Sequence, residues 1–254
     1  MLKKLVIFAG GLGTRISEET KIKPKPMVNI GKKPIIMHII NYFKFYGVSE
    51  FIICAGYKKE YIFKYFKKNF EYKKLKNNHF FHNKEKNIKI HFCDTGLNTQ
   101  VAGRLKKVKN ILKEDKNFFV TYGDGLSDID LNKLVRFHKF HKKVATISAV
   151  NPPARFGALT FKNNLISSFT EKFKKNKDWI NGGFFIFNKK IFKYIKGNNS
   201  TLEKETFPKL ASINQLTGYK HKGFWQCMDT IRERNILNKI YKSKRCPWKN
   251  PKMK

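Results

Sequence analysis

The run Ala9-Gly10-Gly11-Leu12-Gly13-Thr14-Arg15 is rich in glycine and ends on a cation. Glycines let a backbone approach a ligand closely, and successive N–H groups can cradle phosphate oxygens. It is not a dinucleotide fingerprint, because GxGxxG beginning at Gly11 requires a glycine where Ile16 stands. Nor is it a Walker A loop, since GxxxxGK[ST] is unmatched. An ordinary strand-to-helix turn is the competing reading. Ten residues beyond Arg15 stands Lys25, within Lys23-Pro24-Lys25-Pro26. The flanking prolines predict an extended backbone that presents the ammonium with little freedom left to lose. Such a cation beside a phosphate cradle fits a polyphosphate substrate. A chance Lys-Pro pair in a lysine-rich chain is the alternative.

Two acids complete the set. Asp124, in Tyr122-Gly123-Asp124-Gly125, follows a predicted strand and would project from its carboxyl end, where open α/β sheets place their ligands. Asp229, in Met228-Asp229-Thr230, precedes a predicted helix. Mg²⁺ typically uses one or two carboxylates and completes its octahedron with water and phosphate, so the pair is a candidate Mg²⁺ site. A turn aspartate and a helix N-cap are the respective alternatives. His79/His82 and His138/His141 share i, i+3 spacing, which on a helix would place each pair on one face. No acid or cysteine accompanies them in a zinc pattern, so they are read as ordinary histidines.

The elements that must position these groups follow from periodicity. KLVIFA (4–9) is an apolar run that stops at Gly10, as a buried parallel strand does. IIMHIINYFKFYG repeats apolar residues at helical spacing and ends on Gly47; FIICAG from Phe51 is a second strand, and EYIFKYFKKNF an amphipathic helix whose aromatics are read as core or oligomer contacts. Strands are predicted at 88–94, 117–124 and 144–150, with Leu131, Leu134, Val135 and His138 on one helix face between the last two. After Pro152, GALTFKNNLISSF is read as a hairpin around Asn163-Asn164 and WINGGFFIF as a strand broken by paired glycines. This order implies an α/β fold with a parallel sheet. Residues 1–241 are read as one domain, with halves at about 1–150 and about 151–241, the second being the acceptor-substrate side. Residues 242–254 are read as a mobile basic tail.

The chain has 254 residues and a formal net charge of +36, which would ordinarily point to nucleic acid or an anionic membrane. Its 54 basic residues are 47 Lys and 7 Arg, spread over the whole length. Base-edge and bidentate phosphate recognition lean on Arg, so compositional drift is the better reading, and neither nucleic acid nor membrane is expected as a partner. There is no run of 18 apolar residues, and the N-terminal apolar run is too short for a signal-peptide core, which predicts a cytoplasmic protein. Cys54, Cys93, Cys227 and Cys246 show no CxxC spacing and are read as reduced thiols.

The stretch FAGGLGTRISEETKIKPKPMVNIGKKPI resembles the signature of the sugar-phosphate nucleotidyltransferases, and the SEETKIKPKPM continuation is most similar to their cytidylyltransferase branch. The similarity runs on through FIICAGYK, DTG, GRLKKV, TYGDGLSDID, PPARFGAL, EKF, INGGFFIFN and GFWQCMDTIRE. The resemblance implies a Rossmann-like nucleotidyltransferase fold with a mixed, mostly parallel sheet flanked by helices. It also implies an enzyme that joins CTP and glucose 1-phosphate, a Mg²⁺ cofactor on Asp124 and Asp229, a homo-oligomer, and a product destined for surface polysaccharide. By the same resemblance, Phe8 to Arg15 with Lys25, Thr99, Arg104 and Gly123 bind the nucleotide. Arg15, Lys25 and Asp124 are its catalytic positions, and Glu171, Lys172, Asn181 and Gly182 bind the sugar phosphate. A surface charge at a helix start is the other reading of Arg104. Ala102, where relatives commonly carry glycine, and Phe173, where many carry proline, depart from the pattern.

Overall fold

A computed structural model describes residues 2–16, 20–75, 78–85, 87–151, 158–162, 165–170 and 179–249, with backbone alone for Arg15, 158–162 and 165–170. Along the chain run β1 (Lys4–Ala9), the two-residue β2 (Asn29–Ile30) and β3 (Lys33–Pro34), α1 (Ile35–Phe45), β4 (Glu50–Ala55), α2 (Lys59–Asn69), β5 (Glu71–Lys74), β6 (His79–Asn83) and β7 (Ile88–Asp94). There follow α3 (Val101–Lys107), β8 (Asn117–Tyr122), β9 (Gly125–Ser127), α4 (Leu131–His141), β10 (Ala145–Val150), β11 (Ala158–Lys162), β12 (Leu165–Thr170) and β13 (Ile180–Asn188). The chain closes with α5 (Phe207–Ser212), β14 (Leu216–His221), β15 (Trp225–Cys227) and α6 (Ile231–Lys242).

Nine strands form one sheet in the order β14-β10-β13-β8-β1-β4-β7-β6-β5. β1 pairs in parallel with β4 and β8, and β4 with β7; only β13 and β6 run against the rest. The sheet is therefore mixed and mostly parallel, as expected, and strands from both halves of the chain interleave in it.

Side-chain alternation explains why both faces are covered. On β1, Leu5, Ile7 and Ala9 enter one core with α1, α2, α4 and Leu237 of α6, while Val6 and Phe8 enter a second core with α3 and Leu210 of α5. β4 divides in the same way, Phe51 and Ile53 to the first and Ile52 and Cys54 to the second. No helix among the described residues is long and apolar enough to cross a membrane.

Three expectations are corrected. The paired glycines do not break β13, which runs continuously for nine residues; the irregularity is a register shift against β10, where Ile147 faces Phe185 and Ala149 faces Asn181. Gly183, at φ 73°, supplies the conformation that this bulge requires. His79 and His82 lie on β6, not on a helix, so an odd spacing sends them to opposite faces. The segment after Tyr241 is docked as far as Lys249. Its basic residues suggested solvation, but Cys246 and Trp248 are buried, and the Trp248 indole N–H donates to His38 Nδ1 at 3.3 Å. Asn163 and Asn164 lie outside the described residues, although β11 and β12 on either side pair antiparallel.

Candidate active site

β1, β4, β7 and β8 end at one edge of the sheet, and antiparallel β13 begins there. A cavity of about 560 Å³ opens at this edge, lined by Phe8 to Thr14, Lys25, Pro26, residues 97–101, Arg104 and Tyr122 to Asp124. That volume lies within the range of small-molecule sites. A Cβ on Gly11 would meet nothing, so the loop faces open space there, while Gly13 takes φ 67°, a conformation that favours glycine. The structure thus gathers the glycine loop, Lys25, Thr99, Arg104 and Gly123 around one space. Arg15 lies in a single turn over Thr14–Ile16, and its side chain is outside the described residues.

Arg104 is not a surface charge at a helix start. It is 4% exposed, and its fork lies beneath the loop. Nη1 donates to Thr95 Oγ1 at 2.7 Å and to the carbonyls of Gly96 at 2.8 Å and Ala55 at 3.2 Å; Nη2 donates to those of Gly10 at 3.1 Å and Leu97 at 3.2 Å. Side chains at Gly10 or Gly56 would strike the guanidinium, with a Cβ only 2.2 or 2.5 Å from Nη1. Burial lowers its pKa from the ordinary 12.5, yet guanidinium remains a cation. It ties together the ends of β1, β4 and β7 and sets a fixed positive charge below the glycine loop.

A second cavity of about 390 Å³ adjoins the first, lined by Thr121, Tyr122, Asp124, Gly125, residues 180–184, Trp225, Cys227 and Asp229. Tyr122 and Asp124 belong to both. Asn181 and Gly182 stand on its wall, where Gly182 O accepts from the Trp225 indole at 2.7 Å. Glu171 and Lys172 lie outside the described residues.

At the junction the Lys25 ammonium donates to Asp124 Oδ2 at 2.6 Å and to Asp229 Oδ1. Local geometry brings these distant residues together. Lys25 occupies a 3-10 turn over Lys25–Met27, a correction to the extended backbone expected from its prolines: Met27 N–H donates to Pro24 O at 2.8 Å, and Pro26 has no N–H to waste in a first turn. β9 pairs with β15, Gly125 facing Cys227, and Met228 N–H donates to Asp124 O at 2.9 Å, which sets Asp229 beside Asp124. Thr230, not Asp229, caps α6 in a capping box with Glu233, whose Oε2 also accepts from Asp229 N–H at 2.7 Å. The Asp229 carboxylate is thereby left to face Lys25. Burial alone would lower the Lys25 pKa, but Asp124 and Asp229 outweigh it and raise it above 10.5.

The donor set suits a hard divalent cation. Two carboxylate oxygens that share one ammonium lie within about 6 Å of each other, twice a hydrogen-bond length, and a cationic group already balances them. Cys227, Asp229 and Glu233 also offer ligand atoms within 4.8 Å of one another. Glu233 is committed to the cap, and burial, then Asp229 and Glu233, push the Cys227 thiol up to about 12, which keeps it protonated.

The nucleotidyl transferase family model matches residues 4–231. The chain belongs to the nucleotidyl transferase family. It is 42% identical over 256 residues to the glucose-1-phosphate cytidylyltransferase of Salmonella typhimurium, covering 97% of this chain and 98% of that one. It is 34% identical over 244 residues to the mannose-1-phosphate guanyltransferase of Hypocrea jecorina, covering 92% of this chain and 62% of that one. The crystal structure of HddC from Yersinia pseudotuberculosis superposes with a TM-score of 0.71 at 24% identity, over 95% of this chain and all of that one, a likeness of fold.

In this nucleotidyl transferase the second cavity also has wall residues that residue type alone does not mark. Tyr122, Trp225 and Cys227 line the second cavity, and Glu233 orients Asp229. Tyr122 was detectable as the last residue of a strand whose next turn carries Asp124. Trp225 had no such signal, because its place depends on the pairing of β9 with β15.

Proposed function

We propose that this nucleotidyl transferase moves the cytidylyl group of CTP to α-D-glucose 1-phosphate, releasing pyrophosphate and forming CDP-glucose, as a homo-oligomer in the cytoplasm. The observation that carries the reading is the junction at Lys25, Asp124 and Asp229 between two cavities, in a chain 42% identical end to end to a glucose-1-phosphate cytidylyltransferase. The larger cavity takes CTP, its phosphates on the N–H groups of Gly10 to Gly13 and neutralised by Arg15 and Lys25. The smaller takes the sugar against the bare backbone of Gly182 and Gly183, with Asn181 as a hydroxyl partner and Glu171 and Lys172 as further contacts.

A phosphate oxygen of the acceptor attacks the α-phosphorus in line. The bond from that phosphorus to the bridging oxygen of the β-phosphate breaks, and its electron pair leaves with pyrophosphate. Both reactants are polyanions, so catalysis rests on positioning and charge neutralisation without a covalent nucleophile. Asp124 and Asp229 would hold Mg²⁺, which supplies charge neutralisation where the two phosphate compounds meet. Lys172 orients the attacking phosphate.

Pyrophosphate release with glucose 1-phosphate and each of CTP, UTP, dTTP and GTP tests the proposal. The expected result is a clear preference for CTP; a preference for another base transfers the same chemistry to that nucleotide and refutes the cytidylyl assignment.

A further inference from the structure

α3 turns two cations three residues apart, Arg104 and Lys107, toward the loop that follows β7. Together they hold that loop. Arg104 donates to Thr95 Oγ1 and to the carbonyls of Gly96 and Leu97, and the Lys107 ammonium donates to Thr95 O at 2.9 Å and to Thr99 Oγ1 at 3.1 Å. Asp94 Oδ1 accepts from Gly96 N–H at 3.0 Å, and Thr95 Oγ1 donates to Ala55 O at 2.6 Å. Gly96, at φ 85°, leaves room for the contact: a Cβ there would lie 3.2 Å from Thr99 Oγ1 and 3.5 Å from Lys107 Nζ.

A threonine hydroxyl has one proton to give and lone pairs to receive. Because Thr99 Oγ1 accepts from an ammonium, its own proton is turned away from Lys107, and among the described residues it meets no protein acceptor. Thr99 is only 8% exposed, and it lines the larger cavity. A buried donor without an acceptor is costly, and a neighbouring cation polarises the O–H toward donation. This wall therefore offers the cavity one oriented donor.

The chemistry of the wall narrows the acceptor. Residues 97–101, Leu-Asn-Thr-Gln-Val, carry no charge, and Leu97 is 56% exposed. Arg104 and Lys107, behind them, donate to oxygens of the protein, whereas the glycine loop and Lys25 border the cavity from other segments. Apolar and uncharged polar groups suit a nucleoside better than a polyphosphate. Cytosine offers acceptors at O2 and N3, and uracil keeps O2 but carries a donor at N3, so a fixed donor can tell the two apart.

We propose that Lys107 is a positioning residue that sets Thr99 as a hydrogen-bond donor to the nucleoside of the bound nucleotide, and so helps to choose it. The inference rests on the reading of the larger cavity as the site for CTP. Isothermal titration with CTP, UTP and inorganic tripolyphosphate, each with Mg²⁺, tests it on wild type, Thr99→Ser, Thr99→Val, Lys107→Met and the double variant Thr99→Val with Lys107→Met. Thr99→Val and Lys107→Met are each expected to weaken CTP about fivefold or more, as loss of one hydrogen bond does, with tripolyphosphate unchanged within about twofold. The double variant should bind CTP as Thr99→Val alone does, and Thr99→Ser, which keeps the hydroxyl, as wild type does. A loss confined to CTP assigns the acceptor to the base edge that uracil lacks; an equal loss for UTP assigns it to an atom that both nucleosides share. Losses that add in the double variant would overturn the inference, as would tripolyphosphate weakened as much as CTP. A wild type that does not bind CTP removes the reading of the cavity and the inference with it.

Discussion

Lys25 holds two acids at once, and the two ways of breaking that arrangement differ in their consequences. Asp124→Asn removes one charge at the point where the reactants meet, and turnover should fall by on the order of 10² or more while the fold persists. Lys25→Ala should lose a comparable factor and in addition leave Asp124 and Asp229 facing each other without a cation. Its melting temperature should fall, and millimolar Mg²⁺ should raise it by more than it raises that of wild type in the same thermal-shift assay; equal shifts would contradict the shared-cation geometry. Arg104 acts differently, because its five hydrogen bonds all go to the protein itself. A lysine there has three donors on a point charge and cannot span both loops, so Arg104→Lys should destabilise the fold by about 2 kcal/mol or more in urea titrations.

Strands and helices were readable from the sequence wherever one residue type repeats at one period. β7 (Ile88–Asp94) and α4 (Leu131–His141) fall where alternation and helical spacing put them, with Leu131, Leu134, Val135 and His138 buried together. The glycine loop, Lys25 and both acids, singled out by residue type and their neighbours in sequence, do come together at one edge of the sheet. What escaped reading depends on contacts between distant segments: the β9–β15 pairing behind Trp225, the docking of Trp248, and the burial of Arg104. Two elements carry predictions. His138 of α4 is 3% exposed, with Nδ1 2.8 Å from Thr146 Oγ1, and burial lowers its pKa to about 4. The unfolded chain, with a histidine near 6.5, then binds the proton first. Stability present above pH 6.5 should be lost as pH falls toward 4, by up to about 3 kcal/mol, and His138→Gln should flatten that part of the profile measured by denaturant titration. The C-terminal segment, for its part, should be worth more than a tail: Trp248→Ala removes a buried indole and should cost about 3 kcal/mol or more in the same titration.

At the scale of the molecule, one sheet brings the ends of β1, β4, β7 and β8 and the start of β13 to a single edge, and both cavities open there. The excess of 36 positive charges raises the local concentration of anionic substrates, so kcat/KM should decline with added salt more steeply than kcat. The central claim is that the two cavities form one reaction site joined at Lys25, Asp124 and Asp229. Its most direct measurement is product analysis of wild type and Asp124→Asn incubated with CTP, glucose 1-phosphate and Mg²⁺. Wild type should yield CDP-glucose and pyrophosphate in equal amounts, and the folded variant almost none. Near-normal yield from Asp124→Asn would contradict the account.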